Sequence, residues 1–306
     1  MSKIDAQTQI VGIVGWPLQH SFSPSMQNAA FAHVGLNWVY LAFPFPPHYL
    51  EEAIRGLRAL GVRGFNVTAP YKQAIIRYLD EMSEVAKVLG AVNTVMVRED
   101  PANGKRWLYG DNTDVEGFLQ ATSSYLEQVP HEHAVILGTG GAARAVAYAL
   151  CKIGFRAVSF VARHLERGQT LLKEIERWDF RTIFDLILFQ DVNWLAWAEN
   201  VSLLINATPL GTWPEVNVSP LPDSFRFPAH WLVIDLIYNP PKTSLLKRAE
   251  KAGAVGINGL DMLVHQGALS FRTWCGVDAP IEIMRSACLE AIQRMEVGYA
   301  EVSHSR

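Results

Sequence analysis

Cysteine is scarce in this chain. Cys151, Cys275 and Cys288 are the three in 306 residues, odd in number and widely spaced. That pattern excludes a disulfide framework and fits reduced thiols serving as small apolar core residues in a cytoplasmic protein. Blocks of basic charge are missing too. The formal net charge is −3, so neither a nucleic acid nor an anionic membrane finds the electrostatic footprint it needs. No run reaches the ~18 uninterrupted apolar residues of a membrane span. The longest candidate, Thr182 to Trp197, is broken by Asp185, Gln190, Asp191 and Asn193. The amino terminus, Met1-Ser2-Lys3-Ile4-Asp5, carries an acid and lacks the apolar core of a secretory leader. His131 and His133 have no cluster of carboxylates or thiols near them, so they read as solvated histidines and no metal is expected. Internal repeats and low-complexity segments are also absent.

What is present is material for about two domains of ~100–200 residues each, with 49% apolar residues to fill their cores. The first part alternates strands and helices. Ile10–Gly15 reads as a strand with a glycine turn, Ser25–Val34 as a helix stopped by Gly35, and Trp38–Phe43 as a second strand. Tyr49–Leu60 reads as an amphipathic helix stopped by Gly61, and Gly64–Val67 as a buried strand. Such alternation implies α/β architecture with a mostly parallel sheet. Glu99–Lys105 reads as a hairpin tip between Thr94–Arg98 and Arg106–Tyr109, and a helix is expected over about Asp114–Tyr125. Gln128-Val129-Pro130-His131 reads as a linker where the chain crosses between domains. Strands are then expected at Ala134–Leu137, Ala157–Val161, Leu203–Ile205 and Leu232–Ile234, with a helix over Arg144–Lys152. Helices follow at Met262–Thr273 and Ile281–Met295, returning to the first domain. The expected division is 1–115 with 258–306 for one domain and 116–257 for a Rossmann-like dinucleotide-binding domain.

The most informative segment is Asn66-Val67-Thr68-Ala69-Pro70-Tyr71-Lys72. It puts an amide, a hydroxyl and an ammonium where a strand ends and a helix is expected to begin, with Pro70 in the helix's first turn. From a rigid junction Lys72 is placed to grip a polar substrate and deliver a proton. The plainer alternative is that Asn66 or Thr68 caps a helix and Lys72 is a solvated surface lysine.

Gly138-Thr139-Gly140-Gly141-Ala142-Ala143 follows a strand and opens a helix, which is the context that gives a glycine-rich loop meaning. Gly138 allows the tight turn, Gly140 lets a pyrophosphate approach the backbone, and Ala143 keeps helix and strand close. Free N–H groups at the helix start stabilise phosphates. Against this stands a glycine turn with no ligand. At the end of the next strand an Asp or Glu would select NAD. Here Ala162-Arg163-His164 stands instead, with Arg167 one turn later. Arg163 forks onto a phosphate and Arg167 adds charge, so NADP is expected over NAD, the alternative being two arginines on a solvated loop.

Further pieces place polar groups at element ends: Ser21-Phe22-Ser23-Pro24, Gly90-Ala91-Val92-Asn93-Thr94, Gly110-Asp111-Asn112-Thr113-Asp114, Asn206-Ala207-Thr208-Pro209-Leu210-Gly211, Asp235-Leu236-Ile237-Tyr238-Asn239-Pro240 and Asn258-Gly259-Leu260-Asp261-Met262-Leu263-Val264-His265-Gln266. With Asn66–Lys72 and the glycine loop, they run in an order that resembles the shikimate dehydrogenases over nearly the whole chain. The resemblance implies an NADPH-dependent reduction of 3-dehydroshikimate to shikimate, in the chorismate route to aromatic amino acids. It implies that Ser21 and Ser23 hold the substrate carboxylate and that Thr68, Asn93 and Gln266 hold ring hydroxyls, with Asn66 and Tyr238 close by. Lys72 and Asp111 are the implied catalytic pair. Gly138, Thr139, Gly140, Gly141, Ala142, Ala162, Arg163, His164, Arg167, Leu236 and Gly259 are the implied cofactor residues, with Glu84 near the nicotinamide. A small-molecule substrate and a monomer or homodimer go with it.

The chain departs from the family around Pro70, with Ala69 and Tyr71, and at Ala162-Arg163-His164, where Asn-Arg-Thr is usual. Thr212 replaces a common methionine. A quinate/shikimate dehydrogenase using NAD is the near alternative. A catalytically silent ligand sensor would predict loss of Lys72 or Asp111, and both are present. A folate-type dehydrogenase would need an aromatic-lined pocket instead of paired serines.

Overall fold

Two six-stranded sheets carry the chain in the computed structural model, which describes residues 4–191 and 200–303. The leader reading of Met1–Lys3, and the stretch of the Thr182–Trp197 run beyond Asp191, lie outside the described residues. The chain divides into two compact units, Met1–Thr113 with Val264–Arg306 and Asp114–Leu263.

In the first unit β1 (Gln9–Gly15) lies parallel to β2 (Trp38–Pro44) on one side and to β3 (Gly64–Val67) on the other. Beyond β3 the sheet changes character. β5 (Thr94–Glu99) pairs antiparallel with both β3 and β6 (Arg106–Asp111), and β4 (Glu81–Met82) closes the edge parallel to β6. The connections follow their chemistry. Helix α1 (Ser23–Val34) ends at Gly35 in the left-handed conformation, φ 73°, which glycine adopts without a Cβ penalty. Helix α2 (Leu50–Ala59) buries Leu50, Ile54 and Leu57, the residues on one helical face, into a cluster with Phe65, Val67 and Ile75. Each such side chain contributes about 1.5–3 kcal/mol. Helix α3 (Glu84–Leu89) is capped by the Ser83 hydroxyl, which accepts from Ala86 N at 3.2 Å.

One expected junction differs. The segment after β3 does not enter a helix at Pro70. Ala69–Pro70 is a cis peptide inside a turn, and the next helical residues form a short 3-10 segment at Ala74–Tyr78. The reason is Tyr71. Its ring is 1% exposed and stacks on Phe45 with 5.0 Å between centroids, while its hydroxyl donates to Phe45 O. That core contact turns residue 71 inward, and helical winding starts only after it.

The second unit opens with α4 (Asp114–Leu126), followed by β7 (His133–Leu137), α5 (Gly141–Lys152), β8 (Ala157–Ala162), α6 (Leu165–Ile175) and β9 (Ile183–Leu188). β10 (Leu203–Asn206), β11 (Leu232–Asp235), α7 (Ser244–Lys251) and β12 (Val255–Asn258) complete it. All the pairings are parallel, in the order β12-β11-β10-β7-β8-β9. The central strands are buried on both faces and read as continuous apolar runs, as doubly covered parallel strands must. His131 and His133 are half-buried, and their rings are hydrogen-bonded within the protein. The His131 ring bridges Ile153 O and Leu126 O at 3.0 Å each, and His133 Nε2 lies 2.8 Å from Ser159 Oγ. Burial pushes the His133 pKa below its ordinary value. The last helices are α8 (Leu260–Cys275) and α9 (Ile281–Ser303), the latter packed against α1 in the first unit. Cys151 and Cys288 are buried and Cys275 is half-buried, and burial raises their thiols to about 11, 12 and 12 respectively.

Candidate active site

Because β5 runs opposite to its neighbours, its first residues meet the carboxyl ends of β3 and β6. Val67 N donates to Asn93 O at 2.8 Å, Val92 N to Lys72 O at 2.8 Å, and Asn93 N to Asp111 O at 3.1 Å. The dipeptide Val92–Asn93 therefore ties the backbones of Lys72 and Asp111 to one end of one sheet. Thr68 is held there as well, through Thr68 N to Val14 O at 3.0 Å. Lys72, Thr68 and Asp111 are half-buried. The Asp111 carboxylate accepts from Asn112 N at 2.7 Å and from the Ser83 hydroxyl, which fixes its orientation. Ser83 had no signal in the sequence beyond that of a helix cap.

The amides are hydrogen-bonded to the protein itself. Asn93 is 2% exposed, and its Oδ1 accepts from Thr113 N at 2.8 Å. Its Nδ2 donates to Thr113 Oγ1 at 2.9 Å and to Gln266 Oε1 at 3.3 Å. Asn66 is a hub. Tyr40 donates its hydroxyl to Asn66 Oδ1 at 2.8 Å, and Asn66 Nδ2 faces Asn93 O, Thr94 Oγ1 and Ser270 Oγ at 3.2, 3.2 and 2.9 Å. Gln266, mid-helix in α8, turns toward Asn93 and not toward solvent. Helix α1 follows β1 directly and starts at Ser23, two residues before the expected start. Its cap position is Phe22, which has no capping side chain, and Ser21 Oγ accepts a long contact of 3.4 Å from Ser23 N. One turn further, Gln27 Nε2 donates to Gly267 O at 2.9 Å and fastens α1 beside Gln266. Glu84 sits in the first turn of α3 and pairs with Lys87 at 2.6 Å on an exposed face.

In the second unit the strand order reverses between β7 and β10, the switch point outside whose carboxyl ends ligands bind. Gly138 follows β7 with φ 109°, a backbone that favours glycine, and donates to Val161 O at 2.9 Å. A Cβ there would lie 3.2 Å from Ala207 O. Gly140 caps α5 with no side chain, is exposed, and has nothing within 4 Å of where its Cβ would be. The first-turn N–H groups of α5, including those of Gly141 and Ala142, have no carbonyl partner within the helix. Ala162 ends β8, His164 occupies the cap position of α6, and Arg163, His164 and Arg167 are exposed. Neither arginine pairs with an acid among the described residues. A phosphate-bearing dinucleotide fits this donor set of backbone N–H groups and unpaired guanidinium groups. Leu236 and Tyr238 follow β11, half-buried. Gly259 makes a close approach: a Cβ would lie 2.0 Å from Leu236 O. Gly138→Ala is expected to cost about 1–3 kcal/mol of stability through its backbone and to weaken dinucleotide binding in titration calorimetry.

A parallel six-stranded sheet in this order, with a glycine turn at its switch point, is the dinucleotide-binding architecture found in many oxidoreductases. The chain belongs to the shikimate dehydrogenase family. The family descriptions "Shikimate dehydrogenase substrate binding domain" and "Shikimate 5'-dehydrogenase C-terminal domain" match residues 13–95 and 259–289. A shikimate dehydrogenase (NADP+) of Methanopyrus kandleri is 42% identical over 292 residues, 95% of this chain and 98% of that one. A crystal structure of a shikimate dehydrogenase in complex with NADP+ superposes with a TM-score of 0.83 at 41% identity, covering 95% of this chain and 98% of the other. The quinate dehydrogenase of Corynebacterium glutamicum in complex with NAD gives 0.82 at 30% identity, covering 92% and 99%.

Proposed function

We propose that this chain catalyses the reversible, NADPH-dependent reduction of 3-dehydroshikimate to shikimate in aromatic amino-acid biosynthesis. The observation that carries the reading is the fastening of Lys72 and Asp111 through Val92–Asn93, beside a set of amides and hydroxyls suited to a polyol. Ser21 and Ser23 receive the substrate carboxylate at the start of α1. Thr68, Asn93 and Gln266 meet ring hydroxyls, and Asn66 holds the floor beneath them. NADP supplies the hydride when bound; Gly138–Ala142 takes its pyrophosphate, and Arg163, His164 and Arg167 its 2′-phosphate. Lys72 donates to the carbonyl oxygen as negative charge gathers there, which stabilises the transition state more than the ground state. Asp111 orients the ammonium, and water restores the proton that Lys72 gives to the new alcohol. No helix among the described residues is long and apolar enough to cross a membrane; we place the enzyme in the cytoplasm as a monomer or homodimer.

Shikimate and quinate, each tested with NADP+ and NAD+ by the absorbance of the reduced nicotinamide, decide the reading. Shikimate with NADP+ is expected to give the highest kcat/KM. A higher value for quinate with NAD+ would establish the second reading, which the likeness to the quinate dehydrogenase keeps open. Arg163→Ala is expected to cost about 1.5–3 kcal/mol of NADPH binding, one charge-assisted contact. Equal losses for NADPH and NADH would place the phosphate elsewhere.

A further inference from the structure

Helix α8 carries Gln266, Ser270 and Trp274 one turn apart on one face. They meet three successive residues, Asn93 just before β5 and Thr94 and Val95 at its start. Gln266 Oε1 accepts from Asn93 Nδ2 at 3.3 Å, Ser270 Oγ lies 2.8 Å from Thr94 Oγ1, and Trp274 Nε1 donates to Val95 O at 3.0 Å. Ser270 is 0% exposed and Trp274 is buried, so neither is reached by a ligand from solvent. Ser270 is the busiest of the three. Its Oγ accepts from Asn66 Nδ2 at 2.9 Å, donates to Gln266 O at 3.0 Å, and lies 3.4 Å from Thr113 Oγ1. Thr113 in turn holds both ends of the Asn93 carboxamide. The space beside Trp274 is equally fixed: a Cβ on Gly64 would lie 2.2 Å from its Nε1.

A glutamine on a helix has several rotamers, and a helix face held only by apolar contacts slides at little cost. Recognition of a polyol needs its amides placed within about 0.5 Å. We propose that Ser270 and Trp274 are positioning residues for substrate recognition: they lock α8 to β5 and thereby set Gln266 and Asn93 at the height of the ring hydroxyls. This rests on the reading above, in which Gln266 and Asn93 touch substrate. Removing either lock leaves the amides in place but loosens their aim, and substrate affinity falls while the nucleotide site keeps its own.

Steady-state kinetics of the whole chain test this with Ser270→Ala, Trp274→Phe and, as a control off the stripe, Thr273→Ala. Ser270→Ala removes the hydroxyl shared by Asn66, Thr94 and Gln266 O; it is expected to raise KM for shikimate about tenfold and to leave KM for NADP+ within twofold. Trp274→Phe stays aromatic but loses the N–H and part of the indole's volume, so it moves KM for shikimate in the same direction; it carries the test alone if Ser270→Ala does not fold. Thr273→Ala leaves both constants in place. A KM for shikimate within twofold of wild type in both stripe variants, or equal rises in both KM values, overturns the assignment. A purely structural role would lower the unfolding temperature and the active fraction with both KM values unchanged, which also overturns it. A wild-type enzyme that does not oxidise shikimate with NADP+ overturns the reading beneath, an outcome distinct from active wild type with unmoved variants.

Discussion

Lys72→Ala is expected to lower kcat by about 10²–10⁴-fold with a much smaller change in KM for shikimate. Hydride addition to a ketone creates charge on an oxygen that was nearly neutral in the substrate. A donor aimed at that oxygen acts mainly in the transition state, so its loss falls on kcat. Aim comes from the backbone. Lys72 O is held by Val92 N, and the next residue, Asn93, holds Asp111 O. The Asp111 carboxylate is in turn oriented by Asn112 N and Ser83. In the proposed reading the carboxylate and ring hydroxyls keep their other side-chain partners in the variant, so KM is expected to move little. Pre-steady-state turnover with NADPH and 3-dehydroshikimate measures the effect on the chemical step. A kcat within threefold of wild type would remove Lys72 from the reaction.

The parts of the site that were legible in the sequence are those whose chemistry is local. The run into Gly138 and Gly140 showed a buried strand, a tight turn and a helix start within one window, and those elements are found there. The hairpin around Glu99–Lys105 was marked by its turn residues and joins β5 to β6. Pro70 misled because proline suits both a helix start and a turn; burial of Tyr71 decided for the turn, and a single sequence does not show which aromatic ring is pulled inward. Strand β4 has two residues and no periodicity to read. The hydroxyls of Ser83 and Ser270 act through partners 28 and more than 150 residues away. A serine in mid-helix looks like any other until β5 is placed against it. Gln266, Ser270 and Trp274 are regularly spaced, but a polar stripe on a helix reads first as a solvent face.

Asp235→Ala is expected to destabilise the fold by about 3–5 kcal/mol. Asp235 ends β11 and is 0% exposed. Its Oδ1 accepts from Asn206 Nδ2 at 2.9 Å and Ile237 N at 3.1 Å, and its Oδ2 from the Thr243 hydroxyl at 2.7 Å. Asn206 also holds Thr208 N at 3.0 Å, and Thr243 caps α7 by accepting from Leu246 N at 3.3 Å. One carboxylate thus ties the ends of β10 and β11 to the start of α7, and alanine orphans three buried donors. Its ionisation has a separate, testable signature. Burial raises the pKa to about 6 from 3.8. Between these values the native state keeps a proton that the unfolded chain has lost. The associated stability is therefore complete below about pH 4, declines as pH rises through about 6, and is constant above. At the usual linkage of pKa to free energy the decline is roughly 3 kcal/mol. Asparagine separates the two effects. In Asp235→Asn the carbonyl keeps the Asn206 and Ile237 donors, and the amide donates to Thr243 Oγ1, which already accepts from Leu246. The variant carries no charge to desolvate. Denaturant unfolding from pH 4 to 8 should show its stability relative to wild type increasing by about 3 kcal/mol up to pH 7 and then levelling. A difference that does not change with pH would mean that Asp235 titrates as an ordinary carboxylate, and an alanine variant as stable as wild type would mean that the β10–β11 edge is held by something other than this residue.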